Sequence, residues 1–429
     1  MQTRTVRSIY VIGALCIGLL CGTYLVVHYE LAMVNGHPPY TDHDVYHHAA
    51  NRCAQHPEQL YTDASPRYES GGTFNYPPPA VLPFMLLAPF GRTFSYVTAS
   101  TLSLASSLAL VFVSLLLMQR LRHNPIRKRH IILAVATWLC FAPVWQDAKH
   151  GQVNAFVCLC CVLSVLWTLQ RRPFLAALCI VVGTWLKVYA VIMFVPIIPM
   201  LVAQAQHTKA MVDVRQALAT LVWPMVLSIV VIVGALPWIP IELYRTYATI
   251  VLPSLSTYTG LNPLNQSLIG AYARLSTTST DLATTAFVAI PGWVHTFQSV
   301  SILAISSVIA RASWRQTHHV IKLSVFILAM IPILSSYGWE YTFIFCLPLT
   351  IMTVIDVLGE STANRMDVLL LCVALLAFAI PKPNDTMLHA MATSNMSWLV
   401  HVLTFRYMAA VCCLVVIQIF PRATRGDAQ

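Results

Sequence analysis

Between Phe94 and Met118 the chain carries no charged residue, and immediately afterwards it places Arg120, Arg122, Arg127, Lys128 and Arg129. A hydrocarbon core of about 30 Å is crossed by roughly 20 helical residues, and only a helix or a closed barrel satisfies its backbone there. This stretch is therefore a membrane span landing on a cytoplasmic basic anchor. The same pattern recurs along the chain. Spans are expected at about 8–28, 131–145, 156–169, 174–187, 189–203, 217–238, 294–310, 321–335, 343–358, 368–380 and 399–420. With 57% hydrophobic and only 10% charged residues, there is too little polar surface to enclose a soluble core. The expectation is one all-α polytopic unit over 1–429, with about twelve transmembrane helices and the lipid bilayer as its solvent.

The net charge of +10 does not point to nucleic acid, because the basic residues sit in short joints between spans, the arrangement that fixes orientation. Arg4 and Arg7 precede an apolar run without a cleavage signal, so that run reads as a retained first span. Both termini are then cytoplasmic, in an inner (plasma) membrane, and the segments 29–79 and 239–292 lie outside. Most of the twelve cysteines fall in apolar runs, and no disulfide framework is implied. The run Ala80–Phe90 is too short to cross and reads as an interfacial helix.

The outer segment after the first span holds the densest polar chemistry: Asp42-His43-Asp44-Val45-Tyr46-His47-His48, Leu60-Tyr61 and Phe74-Asn75-Tyr76-Pro77-Pro78. Connections much longer than about 15 residues are uncommon unless functional or disordered. Thr41 with Asp44 reads as a capping box opening a helix that Pro57 stops. Asp42 then lies in its first turn, at the positive helix end. On the residues alone, Asp42 could be a simple helix-end charge. Asp42-His43-Asp44 is also a D-x-D pair, whose oxygens suit magnesium or manganese.

The same face gathers Lys149, His150, Gln152, Asn154, Lys187, Asn265, Gln266, Arg274, Trp339, Glu340 and Tyr341. Lys187 interrupts an apolar run, and a lysine at such a position costs about 2.5–3.5 kcal/mol unless it is partnered or reaches the interface. The alternatives are a snorkelling side chain or a phosphate or carboxylate partner. Lys149 and His150 also fit a plain polar turn closed by Gly151, and Trp339 an aromatic belt.

Asp42-x-x-Val45-Tyr46, Leu60-Tyr61, Phe74-x-Tyr76-Pro77-Pro78, Gly151-Gln152-x-Asn154, Trp185-Leu186-Lys187, Asn265-Gln266-Ser267-Leu268 and Arg274 follow one another in an order that resembles glycosyltransferase family 87. That family comprises polyprenyl-phosphate-mannose-dependent mannosyltransferases of the GT-C superfamily. The resemblance implies a GT-C-like bundle and an inverting transferase. Such an enzyme takes a hexose, mannose first, from a polyprenyl-phosphate sugar donor to a lipid-linked or cell-envelope glycan acceptor. The base would be Asp42, with Asp44 in reserve.

Lys187, Arg274, Lys149 and His150 would hold the donor phosphate. Tyr46, Tyr76, Gln152, Asn154, Asn265, Gln266, Trp339, Glu340 and Tyr341 would bind substrate. Cationic side chains can neutralise a departing phosphate, so no metal or cofactor is required. Helix Ala80–Phe90 and the apolar surfaces beside it would hold the polyprenyl tail. The chain departs from the mannosyltransferase branch after Trp339, where Glu340-Tyr341-Thr342 stands in place of the usual histidines. The competing classes are a secondary transporter, which would place paired charges at the midplane, and a polymerase, ligase or flippase component of lipid-linked polysaccharide assembly.

Overall fold

The computed structural model describes residues 42–61, 74–122, 125–208, 211–260, 265–276, 287–316, 319–359, 365–380 and 397–419. The expected first span and Thr41 lie outside the described residues. Helix α1 runs Asp42–Gln55 and buries Val45, Tyr46, Ala49, Ala50 and Cys53 along one stripe, as their spacing dictates. The proline-rich stretch that follows forms a 3-10 turn, Pro78–Val81, helix α2, Leu82–Leu87, and a second 3-10 turn, Ala88–Phe90. Four prolines, Pro78, Pro79, Pro83 and Pro89, keep this piece short, and it packs against α1.

Helix α3, Arg92–Arg122, has 31 residues and is roughly 46 Å long at 1.5 Å per residue. It connects two ends of the molecule. At its start, Tyr96 Oη donates to the Lys149 carbonyl at 2.8 Å and Ser100 Oγ to the Ala148 carbonyl at 2.8 Å. At its finish, Arg122 pairs with Asp356, whose Oδ2 also accepts from Gln418 Nε2 at 2.9 Å. The buried face of α3 is rich in small residues, Ser95, Ala99, Ser103, Ser106, Ser107 and Ser114, which let neighbouring backbones approach closely.

The expected span over 131–145 is broken. Helices α4, Lys128–Cys140, and α5, Ala142–Lys149, meet at a 53° bend. Phe141 is extended there, and Pro143, in the first turn of α5, has no N–H to carry the α4 ladder onward. Helices α6, Asn154–Leu169, and α7, Pro173–Leu186, form an antiparallel pair. A 3-10 segment, Val188–Met193, leads into α8, Phe194–Thr208, followed by α9, Met211–Ala235.

The segment after α9 contains α10, Ile241–Thr246, a π-helical turn, Tyr247–Val251, and α11, Leu252–Thr257. Beyond them, β1, Tyr258–Gly260, pairs antiparallel with β2, Phe287–Ala289, and α12 spans Leu268–Ser276. This two-stranded ribbon is the one sheet among the described residues. Helices α13, Gly292–Arg315, α14, Val320–Leu334, and α15, Leu347–Gly359, follow, the last preceded by a 3-10 segment, Glu340–Cys346. The chain closes with α16, Arg365–Ala379, and α17, Ser397–Ile419.

The protein is an all-α polytopic membrane protein. Among the described residues, five helical stretches are long and apolar enough to cross a bilayer, or six if the bent α4–α5 pair is one span. Helices α9 and α13 turn most of their apolar side chains outward, Met225, Ile229, Leu303 and Val308 among them. Acyl chains, not water, suit such a surface. The core lies between α3, α6, α14 and α15 and is continuous with the aromatic side chains under α1.

Candidate active site

At its first turn α1 is fastened to the turn after α5: the His43 N–H donates to the His150 carbonyl at 3.0 Å. The next residue, Gly151, has φ +58°, and a Cβ on it would lie 2.8 Å from His43 Cβ. Glycine is therefore required twice over, for its backbone and for the closeness of α1. That approach delivers Gln152 to Asp42. Gln152 Nε2 donates to Asp42 Oδ2 at 2.7 Å, while its Oε1 accepts from Lys187 Nζ at 3.0 Å and from Tyr46 Oη at 2.9 Å.

Lys187 is only 8% exposed and sits where α7 ends in extended backbone. Its Nζ donates also to Asn154 Oδ1 at 2.8 Å and stands 5.0 Å from the centroid of the Tyr76 ring. Asn154 Nδ2 in turn donates to Asp147 Oδ1 at 2.7 Å. Asp147 Oδ2 accepts from Ser103 Oγ at 2.8 Å and from the Ala155 N–H at 3.0 Å. Carboxylate, amide, ammonium, amide and carboxylate thus alternate from Asp42 to Asp147. Lys187 does not snorkel; it is held by two side-chain oxygens inside the protein.

Asp44 faces elsewhere. It is buried and gripped by both forks of Arg92, with Nη2 to Oδ2 at 2.8 Å and Nε against Oδ1. Between the two aspartates, His43 is fully buried, with Tyr96, Phe84 and Tyr46 around its ring. Burial pushes its imidazole down to about 4. Burial also lowers His47, reinforced by His48. Among the described residues no three of His, Cys, Asp and Glu converge as a metal-binding group.

Asp42 and Lys187 open onto a cavity of about 550 Å³. Asn75, Tyr76, Trp339 and Tyr341 also line it, and Ile302 and Ile305 of α13 with Ile327, Met330 and Leu334 of α14 give it apolar wall. Of the remaining expected residues, Gln152 and Asn154 stand behind Lys187. Tyr46 stacks on Phe84, 4.4 Å between centroids, and supports Gln152.

Asn265 is fully buried, and its amide is engaged by the protein. Nδ2 donates to Thr259 Oγ1 at 2.9 Å and to the Ser336 carbonyl at 3.1 Å; Oδ1 accepts from Ser267 Oγ and the Gly338 N–H, both at 2.8 Å. Gln266 Oε1 accepts from the Tyr407 N–H at 2.9 Å. Arg274 Nη1 donates to the Asn265 carbonyl at 2.7 Å, and burial works against its charge. The geometry thus makes this trio the fastening of a loop beside the cavity, not part of its lining. Lys149 and His150 likewise offer their carbonyls to Tyr96 and His43, while the His150 ring lies 5.4 Å from that of Tyr341.

The model of glycosyltransferase family 87 matches residues 74–336. The chain belongs to glycosyltransferase family 87. No individually curated protein matches the sequence. The matched stretch contains Tyr76, Gln152, Asn154, Lys187, Asn265 and Arg274. Asp42 precedes it and Glu340 follows it. This protein is accordingly a membrane glycosyltransferase, an enzyme that takes a sugar from a donor to a glycan acceptor.

Sequence reasoning overlooked three partners in this glycosyltransferase: Arg92, Ser103 and Arg406. Arg406 left a usable signal. It is the one Lys, Arg, Asp or Glu residue between Leu399 and Phe420, and the argument applied to Lys187 applies equally to it. Its partner is Glu340.

Proposed function

We propose that this glycosyltransferase uses a polyprenyl-phosphate sugar, mannose in the first instance, and transfers the hexose with inversion to a lipid-linked or cell-envelope acceptor. The observation that carries this reading is the cavity itself, which a carboxylate and a buried ammonium line together with isoleucine, methionine and leucine side chains. A sugar-phosphate head on an isoprenoid tail calls for the same two chemistries. Asp42 is the base. Gln152 engages Oδ2, and Oδ1 has no hydrogen bond from the described residues. In a single displacement Asp42 takes the acceptor hydroxyl proton, the new C–O bond forms at the anomeric carbon, and the bond to the phosphate oxygen breaks. The electron pair leaves with the polyprenyl phosphate, toward Lys187.

Asp44, held by Arg92, supports α1 instead of serving as a second base. The tail follows α13 and α14, since Ala80–Phe90 does not contribute to the cavity. The orientation rests on charge. Arg122 and Arg171 lie toward the ends of α3 and α6 remote from Asp42, which supports a site on the outer face, with both termini in the cytoplasm of an inner (plasma) membrane. The reading of about twelve spans adds the first apolar run and the shorter helices α6, α7, α14, α16 and α17 to the long ones.

The test is donor cleavage. Purified protein in nanodiscs is given polyprenyl-phosphate mannose, glucose or galactose with an acceptor lipid fraction, and polyprenyl phosphate is measured. One donor should be consumed, and Asp42→Asn should slow transfer by about 10²–10⁴ while donor binding persists. Cleavage of none of them, or normal transfer by Asp42→Asn, would remove the proposal.

A further inference from the structure

Arg406 lies in α17, beyond the stretch matched by the family model. Its Nη2 meets Glu340 Oε1, with side chains 7% and 6% exposed, and its Cζ stands 4.6 Å from the centroid of the Tyr407 ring. The neighbouring backbone is fastened from the other side. The Tyr407 N–H donates to Gln266 Oε1, the Gln266 N–H donates to the Gly338 carbonyl at 2.8 Å, and the Gly338 N–H donates to Asn265 Oδ1. A Cβ on Gly338 would lie 2.4 Å from the Pro332 carbonyl oxygen, so the chain has no room to shift there.

Glu340 is thus held by α17, and Gly338 by the Asn265 loop. The residues on either side of Glu340, namely Trp339, Tyr341 and Thr342, line the cavity. A buried ion pair is seldom kept for stability, since apolar residues of like size serve as well or better. Fixing one arrangement among several is its better attested use. Charge matters as well. Glu340 without its partner would put an uncompensated carboxylate immediately behind the wall that faces Lys187.

We infer that Glu340 and Arg406 are positioning residues: their pair fixes the Trp339–Thr342 wall against which the donor's sugar-phosphate is seated, and it keeps that wall electrically neutral. This inference rests on the donor proposed above. It places part of donor selection in α17, outside the stretch matched by the family model.

The experiment compares Glu340→Gln and Arg406→Met with wild type by donor kinetics, thermal unfolding and the ¹⁹F spectrum of protein labelled with 5-fluorotryptophan, the Trp339 resonance being assigned through Trp339→Phe. Each variant should raise the donor KM about ten-fold, the scale of one lost hydrogen bond to a charge, with a smaller change in kcat. The Trp339 resonance should shift or broaden. If either variant fails to fold, Glu340→Asp keeps the charge and shortens the reach, and it should still raise KM and move the resonance. Wild-type KM and an unmoved resonance in folded variants would overturn the inference. So would a lower melting temperature with unchanged kinetics per folded molecule. Should wild-type protein cleave no polyprenyl-phosphate sugar, the donor reading fails separately, and an unmoved Trp339 resonance still decides against the pair.

Discussion

Asp42 and Lys187 share one side chain: the amide of Gln152 donates to the carboxylate at 2.7 Å and accepts from the ammonium at 3.0 Å. A carboxamide is the right group for this place, because each end demands the opposite polarity. Replacing it by Gln152→Met keeps most of the volume and removes both functions. Hydrogen bonds to charged groups contribute about 1.5–3 kcal/mol, so the rate of sugar transfer should fall by about 10- to 100-fold. Single-turnover kinetics with the identified donor would check this, and an unchanged rate would show that the bridge is dispensable.

Lys187→Met removes the ammonium and leaves the stem. Gln152 Oε1 keeps Tyr46 as a donor, whereas Asn154 Oδ1 loses the donor it has in Lys187. The protein should still insert and fold. Donor kcat/KM should drop by about 10²-fold or more, the scale seen when a charge-stabilising group is removed from an active site. Equal donor kinetics in the variant and wild type would take Lys187 out of phosphate binding.

Gly151→Ala should be the most damaging single-methyl change at the site. The left-handed backbone there costs an alanine about 1–2 kcal/mol. The added Cβ would also meet His43 Cβ at 2.8 Å, which pushes α1 away from Gln152. Both melting temperature and transfer should fall. Gly234→Ala is the control, since a Cβ there has nothing within 4 Å and alanine favours the helix. It should be neutral or slightly stabilising.

Acid should loosen α1 through His43. Its folded value of about 4 lies below the ordinary 6.5, so the unfolded or undocked state binds the proton more readily. The stabilisation is complete above about pH 6.5 and is lost progressively as pH falls toward 4, with about 3 kcal/mol at stake. Asp44 opposes this by favouring the charged ring, while His47 and Arg92 reinforce it. His43→Phe keeps the aromatic packing and removes the titration. Its unfolding temperature should decline less than that of wild type between pH 6.5 and 4.5, the remainder belonging to groups such as His47; parallel declines would assign the acid lability to other groups.

Much of this site was legible because membrane chemistry makes polar residues conspicuous. A lysine inside Val181–Val191 and a D-x-D beside a short proline-rich stretch stand out against an apolar chain. The helix from Asp42 and the shortness of the Ala80–Phe90 segment follow from spacing, and the prominence of Lys187 from the cost of burying charge, whereas the grouping of Tyr76, Gln152 and Asn154 with it came from the resemblance to family 87. Hydrogen-bond direction did not follow. Asn265 and Gln266 are as polar as Gln152, yet they spend themselves on backbone groups of Gly338 and Tyr407, 73 and 141 residues away in the chain. Asp44 resembled Asp42 until Arg92 was seen to hold it. The bend at Phe141 was hidden for another reason: hydropathy averages over Pro143 without registering the N–H it lacks.

The mixed lining of the cavity has a consequence for turnover with the donor proposed above. That phosphodiester carries one negative charge and the monoester left after transfer up to two, so an ammonium that eases departure would also grip the product more firmly. The spent lipid must back out by the way it came, along α13 and α14, with no sugar left to offset that grip. On that proposal its escape, instead of bond cleavage, is expected to set the pace at saturating donor. Added polyprenyl phosphate should act as a competitive brake on the enzyme, which ties the rate of glycan assembly to how quickly the membrane clears its used carrier.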